Sequence, residues 1–113
     1  MQRDQVYLVD ILEAARLAVS YVEGVQKEAF LRDTQLQDSV IRRVEIIGEA
    51  ARRVSEEMKM AHPDIPWREM VGIRNLMIHE YDDVDLWVVW ETVQNDLPGL
   101  IARIESLVRQ DGY

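Results

Sequence analysis

The stretch GIRNLMIHEY, residues 72–81, holds Arg74, Asn75, His79 and Tyr81 in close succession. Histidine is the side chain best tuned to move protons near neutral pH. Arginine is suited to holding the equatorial oxygens of a phosphate. Asparagine can orient either group. Those three types suffice to cleave RNA without a metal: the substrate's own 2′-OH is the nucleophile, and the protein supplies a base, an acid and a charge clamp. One histidine cannot easily be both acid and base. Two copies meeting across a two-fold axis would supply a second histidine and a second arginine. The same residues also have a structural use. Arg74 could pair with a carboxylate of a neighbouring helix, His79 could cap a helix C-terminus, and Tyr81 could pack.

On a straight helix at ~100° per residue, Asn75 and His79 fall about 100° and 140° from Arg74. Arg68, Gly72, Asn75 and His79 then form one polar stripe. Met70, Val71, Ile73, Leu76, Met77 and Ile78 fill the other arc, with Arg74 among them. A charge on an apolar arc needs a partner. The ~140° separation keeps one straight helix from aiming both Arg74 and His79 at a single phosphate, so either two copies act across a dimer or the helix ends before His79. Arg68 is a further candidate for substrate contact.

Other chemistries lack their residues. The chain has no cysteine, and its histidines, His62 and His79, show no tight metal-ligand spacing. His62, before Pro63, reads as a polar turn residue. The five glycines are scattered, so there is no phosphate-cradling loop. No cofactor is expected.

The elements that must position these residues read as helices throughout. Apolar residues recur at three- and four-residue spacing, and no stretch alternates long enough for a strand. The first predicted helix spans about Asp4 to Glu23, with Asp4 as N-cap and Gly24 as stop. A short helical piece near residues 25–31 follows. The second runs from about Asp33 to Met60, with Val40, Val44, Ile47, Ala51 and Val54 on its apolar face. Its other face alternates charge through Arg42, Glu45, Glu49, Arg52, Arg53 and Glu56. That face is either solvated surface or, in part, a phosphate-binding cleft; Ile46 on the charged side favours a second contact surface. The third helix runs from about Pro66 to His79. The fourth starts at the N-cap Asp85, with a kink or short break at Pro98 and Gly99.

At 113 residues the chain suits one domain, 1–113, and its 48% apolar content excludes a disordered tail. Three Trp and five Met suggest apolar surface beyond one small core, which a homodimer interface would use. The net charge of −8 argues against a general nucleic-acid coat, though not against a local basic cleft. No signal peptide or membrane span is expected, and the protein is read as cytoplasmic.

RNLMIHEY resembles the RX4HXY motif of HepT-like toxins in the HEPN superfamily of helical RNases. IRRVEIIGEAARRVSEE, HPDIPWREMVGIRNLMIHEY and DLWVVWETVQNDLPGL resemble that family's stretches in the same order, over nearly the whole chain. The resemblance implies an all-α, HEPN-type bundle of four main helices, forming a homodimer whose two motifs face one cleft. It implies a metal-independent endoribonuclease toxin of a type VII toxin–antitoxin pair, with RNA as substrate and no DNA partner. Arg74, His79 and Asn75 would be catalytic. The partner would be a MntA-like minimal nucleotidyltransferase antitoxin that AMPylates Tyr81 from ATP and so inactivates the RNase. The chain departs from the family pattern in having Asp82 and Asp83 after the tyrosine, which would weaken RNA binding at the rim. The alternative is a non-catalytic HEPN dimer acting as binding partner of such a nucleotidyltransferase.

Overall fold

The computed structural model describes residues 2–73, 75 and 84–110, and every helix or strand element assigned among them is helical. The order is α1 (Gln2–Tyr21), α2 (Lys27–Phe30), α3 (Thr34–Arg53), α4 (Glu56–Ala61), α5 (Trp67–Val71), α6 (Leu86–Glu91), a π-helical turn (Thr92–Asp96) and α7 (Leu97–Gln110). The all-α bundle expected from the apolar periodicity is the fold. Its long members are α1, α3 and the run from α6 through the π turn into α7.

The core follows from helical spacing. Leu8, Ile11, Ala15 and Ala18 of α1 are completely buried, and Val40, Val44, Ile47 and Ala51 of α3 nearly so. These stripes bring α1 along α3, while α7 packs on α1 and α5 on α3. Each large aliphatic side chain so buried contributes about 1.5–3 kcal/mol. Asp33 starts α3 as its N-cap, accepting from the Leu36 N–H at 3.0 Å. Gly24 closes the turn after α1 with φ +75°, a conformation that glycine adopts without steric cost.

Two predicted boundaries are corrected by one interaction. Asp4 does not cap α1, which begins at Gln2; its carboxylate is 2% exposed and turned inward. It accepts from the Ser55 N–H at 2.8 Å and from the Ser55 hydroxyl at 2.7 Å. The predicted helix 33–60 breaks at that point. Val54 is extended (φ −65°, ψ 139°), and the Ser55 Oγ accepts from the Met58 N–H at 3.1 Å to begin α4. Asp4 thus holds the residue that interrupts the longest apolar pattern in the chain.

The fourth predicted helix starts at Asp85 as expected, with the carboxylate accepting from the N–H groups of Trp87 and Val88. The irregularity expected at Pro98–Gly99 lies one turn earlier, in the π turn at residues 92–96, and α7 runs unbroken from Leu97. Proline has no N–H for a helical bond four residues back. The buried residues Val89, Val93 and Leu97 are spaced four and four. On a straight α-helix that drifts by about 80°. The same spacing is buried at Leu100, Ile104 and Val108 inside regular α7, so it does not by itself require the wider turn.

The tryptophans are largely used within the chain. Trp67 is 7% exposed and donates its indole N–H to the His62 carbonyl at 2.9 Å. Half-buried Trp90 meets the Phe30 ring with centroids 5.2 Å apart. Trp87 stays exposed beneath Lys27, whose Nζ lies 3.2 Å from the ring centroid.

The third predicted helix is interrupted at Gly72. Its described helix α5 ends at Val71, and Gly72 caps it, donating its N–H to the Arg68 carbonyl at 2.9 Å. The polar stripe predicted on a straight helix therefore does not carry across Gly72. Ile73 and Asn75 are helical beyond it. Arg74, residues 76–80 with His79, Tyr81, Asp82 and Asp83 lie outside the described residues.

Candidate functional site

Asn75 is exposed and stands on the wall of a cleft of about 600 Å³. Its N–H donates to the Gly72 carbonyl at 2.9 Å, so the turn that ends α5 also fixes the Asn75 backbone. The floor is the charged face of α3: Arg42, Ile46, Glu49 and Arg53, spaced 4, 3 and 4, with Glu45 and Arg52 beside them. This face lies opposite the core stripe of the same helix. Tyr7 and Asp10 close the cleft from α1, and Val71 from α5.

Asn75 reaches this position because α3 carries a glycine beneath it. A methyl group at Gly48 would stand 3.0 Å from the Met70 carbonyl oxygen and 3.1 Å from the Ile73 Cγ2. No larger residue would let the backbone on either side of Gly72 settle so close to α3. The cost that glycine imposes on a helix interior is accepted here for close approach.

The electrostatics of the cleft centre on Glu49. It pairs with Arg52 three residues on and with Arg53 at 3.5 Å four residues on. The side chains are 62% exposed for Arg52, 58% for Arg53 and 51% for Glu49, so these pairs hold geometry more than they stabilise the fold. Arg52 and Arg53 occupy the last turn of α3, where cations suit the helix dipole. Glu56, predicted to extend the charge ladder, lies past the break at Ser55 and pairs with Lys59 at 3.8 Å instead.

Of the residues singled out by sequence, the structure places Asn75 on the cleft, while Arg68 is not among its lining residues. Arg68 is exposed on α5, on the other side of the Gly72 cap. Arg74, His79 and Tyr81 lie outside the described residues. His62 caps α4 and offers its carbonyl to Trp67, the turn role expected of it. Sequence reasoning missed Tyr7, Asp10 and Gly48. Gly48 had a signal, as an isolated glycine inside a strongly patterned helix marks a close backbone approach. Tyr7 and Asp10 flank the core stripe of α1, and nothing local distinguishes them from ordinary surface residues. No group of three or more His, Cys, Asp or Glu able to hold a metal occurs among the described residues. No helix among them is long and apolar enough to cross a membrane.

The described residues thus form a helical bundle with an arginine- and carboxylate-lined cleft beside Asn75. A model of the family described as "Ribonuclease HepT-like" matches residues 11–107. The chain belongs to this HepT-like family. It is 45% identical over 101 residues to a Thermococcus cleftensis protein named as a probable ribonuclease HepT, covering 89% of this chain and 92% of that one. It is 35% identical over 99 residues to a Methanocaldococcus jannaschii protein named as a candidate RNase, covering 88% and 91%. A similarly named Caldanaerobacter subterraneus protein is 32% identical over 111 residues, covering 98% and 99%. No solved structure gives a significant match to the chain.

Proposed function

We propose that this protein is a metal-independent endoribonuclease, the toxin of a toxin–antitoxin pair, formed by one HEPN-type domain over residues 1–113. Membership of the ribonuclease HepT-like family supports the activity. The observation that carries the assignment to a place is the cleft itself: Asn75, inside the RX4HXY motif, opens onto a cavity floored by arginines of α3. In this reading Arg74 holds the scissile phosphate and Asn75 orients it or the histidine. His79 takes a proton from the ribose 2′-OH. That oxygen attacks the adjacent phosphorus, the bond to the 5′-oxygen breaks, and the leaving oxygen is protonated. A cyclic 2′,3′-phosphate and a free 5′-hydroxyl result. A homodimer supplies the second histidine, so that base and acid come from different chains.

Regulation falls to Tyr81. Its phenol oxygen attacks the α-phosphorus of ATP on a MntA-like nucleotidyltransferase, pyrophosphate leaves, and the attached AMP places anionic bulk where an RNA phosphate must bind. The test is cleavage of a labelled single-stranded RNA by the purified protein in excess EDTA. Metal-free cleavage that His79→Ala removes is the expected result. Cleavage that persists in His79→Ala overturns the catalytic assignment. The pairing of Glu49 with Arg52 and Arg53 favours a second reading, a non-catalytic partner of the nucleotidyltransferase, because it neutralises part of the cleft. A tight complex with that partner and no cleavage of any RNA would establish it.

A further inference from the structure

Arg42, Arg52 and Arg53 are exposed on one side of α3 and line the cleft that Asn75 enters. From Arg42 to Arg53 the helix advances about 16 Å at ~1.5 Å per residue. With a phosphate every ~3.4 Å in a stacked strand, that length spans about four to five nucleotides. The positive groups therefore stand at the two ends of this length, Arg42 at one and Arg52 and Arg53 at the other, with Glu45 and Glu49 between them and Asp10 also lining the cleft, in a chain whose overall charge repels nucleic acid. Tyr7, half-buried and packed against the core, lines the same cleft from the α1 side. Arginines on one wall and a tyrosine on another are residue types that can hold a single strand, phosphates on one side and a base stacked on the other.

We infer that Arg42, Arg52 and Arg53 form the track for the RNA backbone leading to the motif, and that Glu49 governs access to it. This deepens the ribonuclease reading and rests on it. With no RNA bound, Glu49 holds both guanidinium groups at the C-terminal end of α3. An entering phosphate takes them over. The exchange is inexpensive because the pairs are exposed, and arginine binds phosphate in the same forked manner as carboxylate. Glu49 thereby selects for strongly anionic ligands: a phosphate chain displaces it, whereas a singly charged group gains little by doing so. Arg68, on α5 before the Gly72 cap, is not among the residues lining this cleft.

The test measures binding apart from cleavage. In the His79→Ala background, a fluorescent single-stranded RNA is titrated across a range of salt concentrations. The combined Arg42→Ala, Arg52→Ala and Arg53→Ala variant is expected to bind about tenfold or more weakly. Its slope of log affinity against log salt should be shallower by about 2, from ~0.7 per lost phosphate contact on a single strand. Arg109→Ala, which removes a positive charge paired with Glu105 at 3.4 Å and away from the cleft, should bind as its parent does. Glu49→Gln should bind about two- to fivefold more tightly. Tyr7→Leu should weaken binding while Tyr7→Phe retains it. Unchanged affinity and slope in the arginine variant, with metal-free cleavage intact in the wild type, overturns the track and leaves the ribonuclease standing. So does a variant that alters only the association state of the protein, since the arginines then serve a protein interface. Absence of RNA binding by every form, with no cleavage by the wild type, overturns both.

Discussion

The carboxylate of Asp4 accepts two hydrogen bonds from Ser55, one from its backbone N–H and one from its hydroxyl, across 51 positions of sequence. The same hydroxyl caps α4. One side chain in the first turn of the protein thus fixes where α3 ends. Asp4→Ala should destabilise the fold by about 1–3 kcal/mol, because a part-buried N–H and hydroxyl lose their acceptor. Urea unfolding measures this. Ser55→Ala removes the α4 cap as well, and the double variant should cost less than the two single losses added together. Strict additivity would mean that the two residues are not coupled.

Two glycines make opposite predictions. Gly48→Ala places a methyl group 3.0 Å from the Met70 carbonyl oxygen, and backbone has little room to yield. It should cost about 1–3 kcal/mol and lower RNA cleavage by displacing Asn75. Gly99 lies in α7 with nothing within 4 Å of its missing Cβ. Gly99→Ala should stabilise by about 0.4–1 kcal/mol and leave cleavage unaltered. Thermal melts and an RNA cleavage assay on both variants check the pair.

Arg74→Ala and His79→Ala should each lower the cleavage rate by about a hundredfold or more while leaving the helical content and the unfolding transition close to wild type. Loss of folded structure in proportion to loss of rate would return both residues to a purely structural role.

Tyr81 should gain AMP when the protein is incubated with a MntA-like nucleotidyltransferase and ATP, and lose RNase activity as it does so. Intact mass spectrometry follows the addition. Tyr81→Phe should take up no AMP and stay active. AMP attached to Tyr81→Phe would place the modification on another residue.

Much of the bundle was legible because buried faces repeat at helical spacing. Val40, Val44, Ile47 and Ala51 are core residues as the pattern required, and Asp85 and Gly24 mark their boundaries through local chemistry. The break at Ser55 was not legible, since its cause, Asp4, is distant in sequence. The π turn at residues 92–96 was not legible, since the four-residue spacing of its buried residues also occurs inside regular α7. At the cleft, the α3 arginines were visible as a charged face. Only packing reveals that this face adjoins Asn75, and that Arg68 does not line the same cleft.

Helix α3 acts as a ruler for the cleft. Its exposed edge carries Arg42, Glu49, Arg52 and Arg53, and Gly48 in its middle seats the backbone that presents Asn75. Both ends of the measurement are thus marked on one rigid rod. A disturbance that slides or rolls α3 against α1 carries the row and the seat together and leaves their separation unaltered. Core substitutions at the α1–α3 contact should therefore keep the spacing between the arginines and Asn75 while shifting both against Tyr7 of α1, whereas a small change at the Gly48 seat moves one mark without the other.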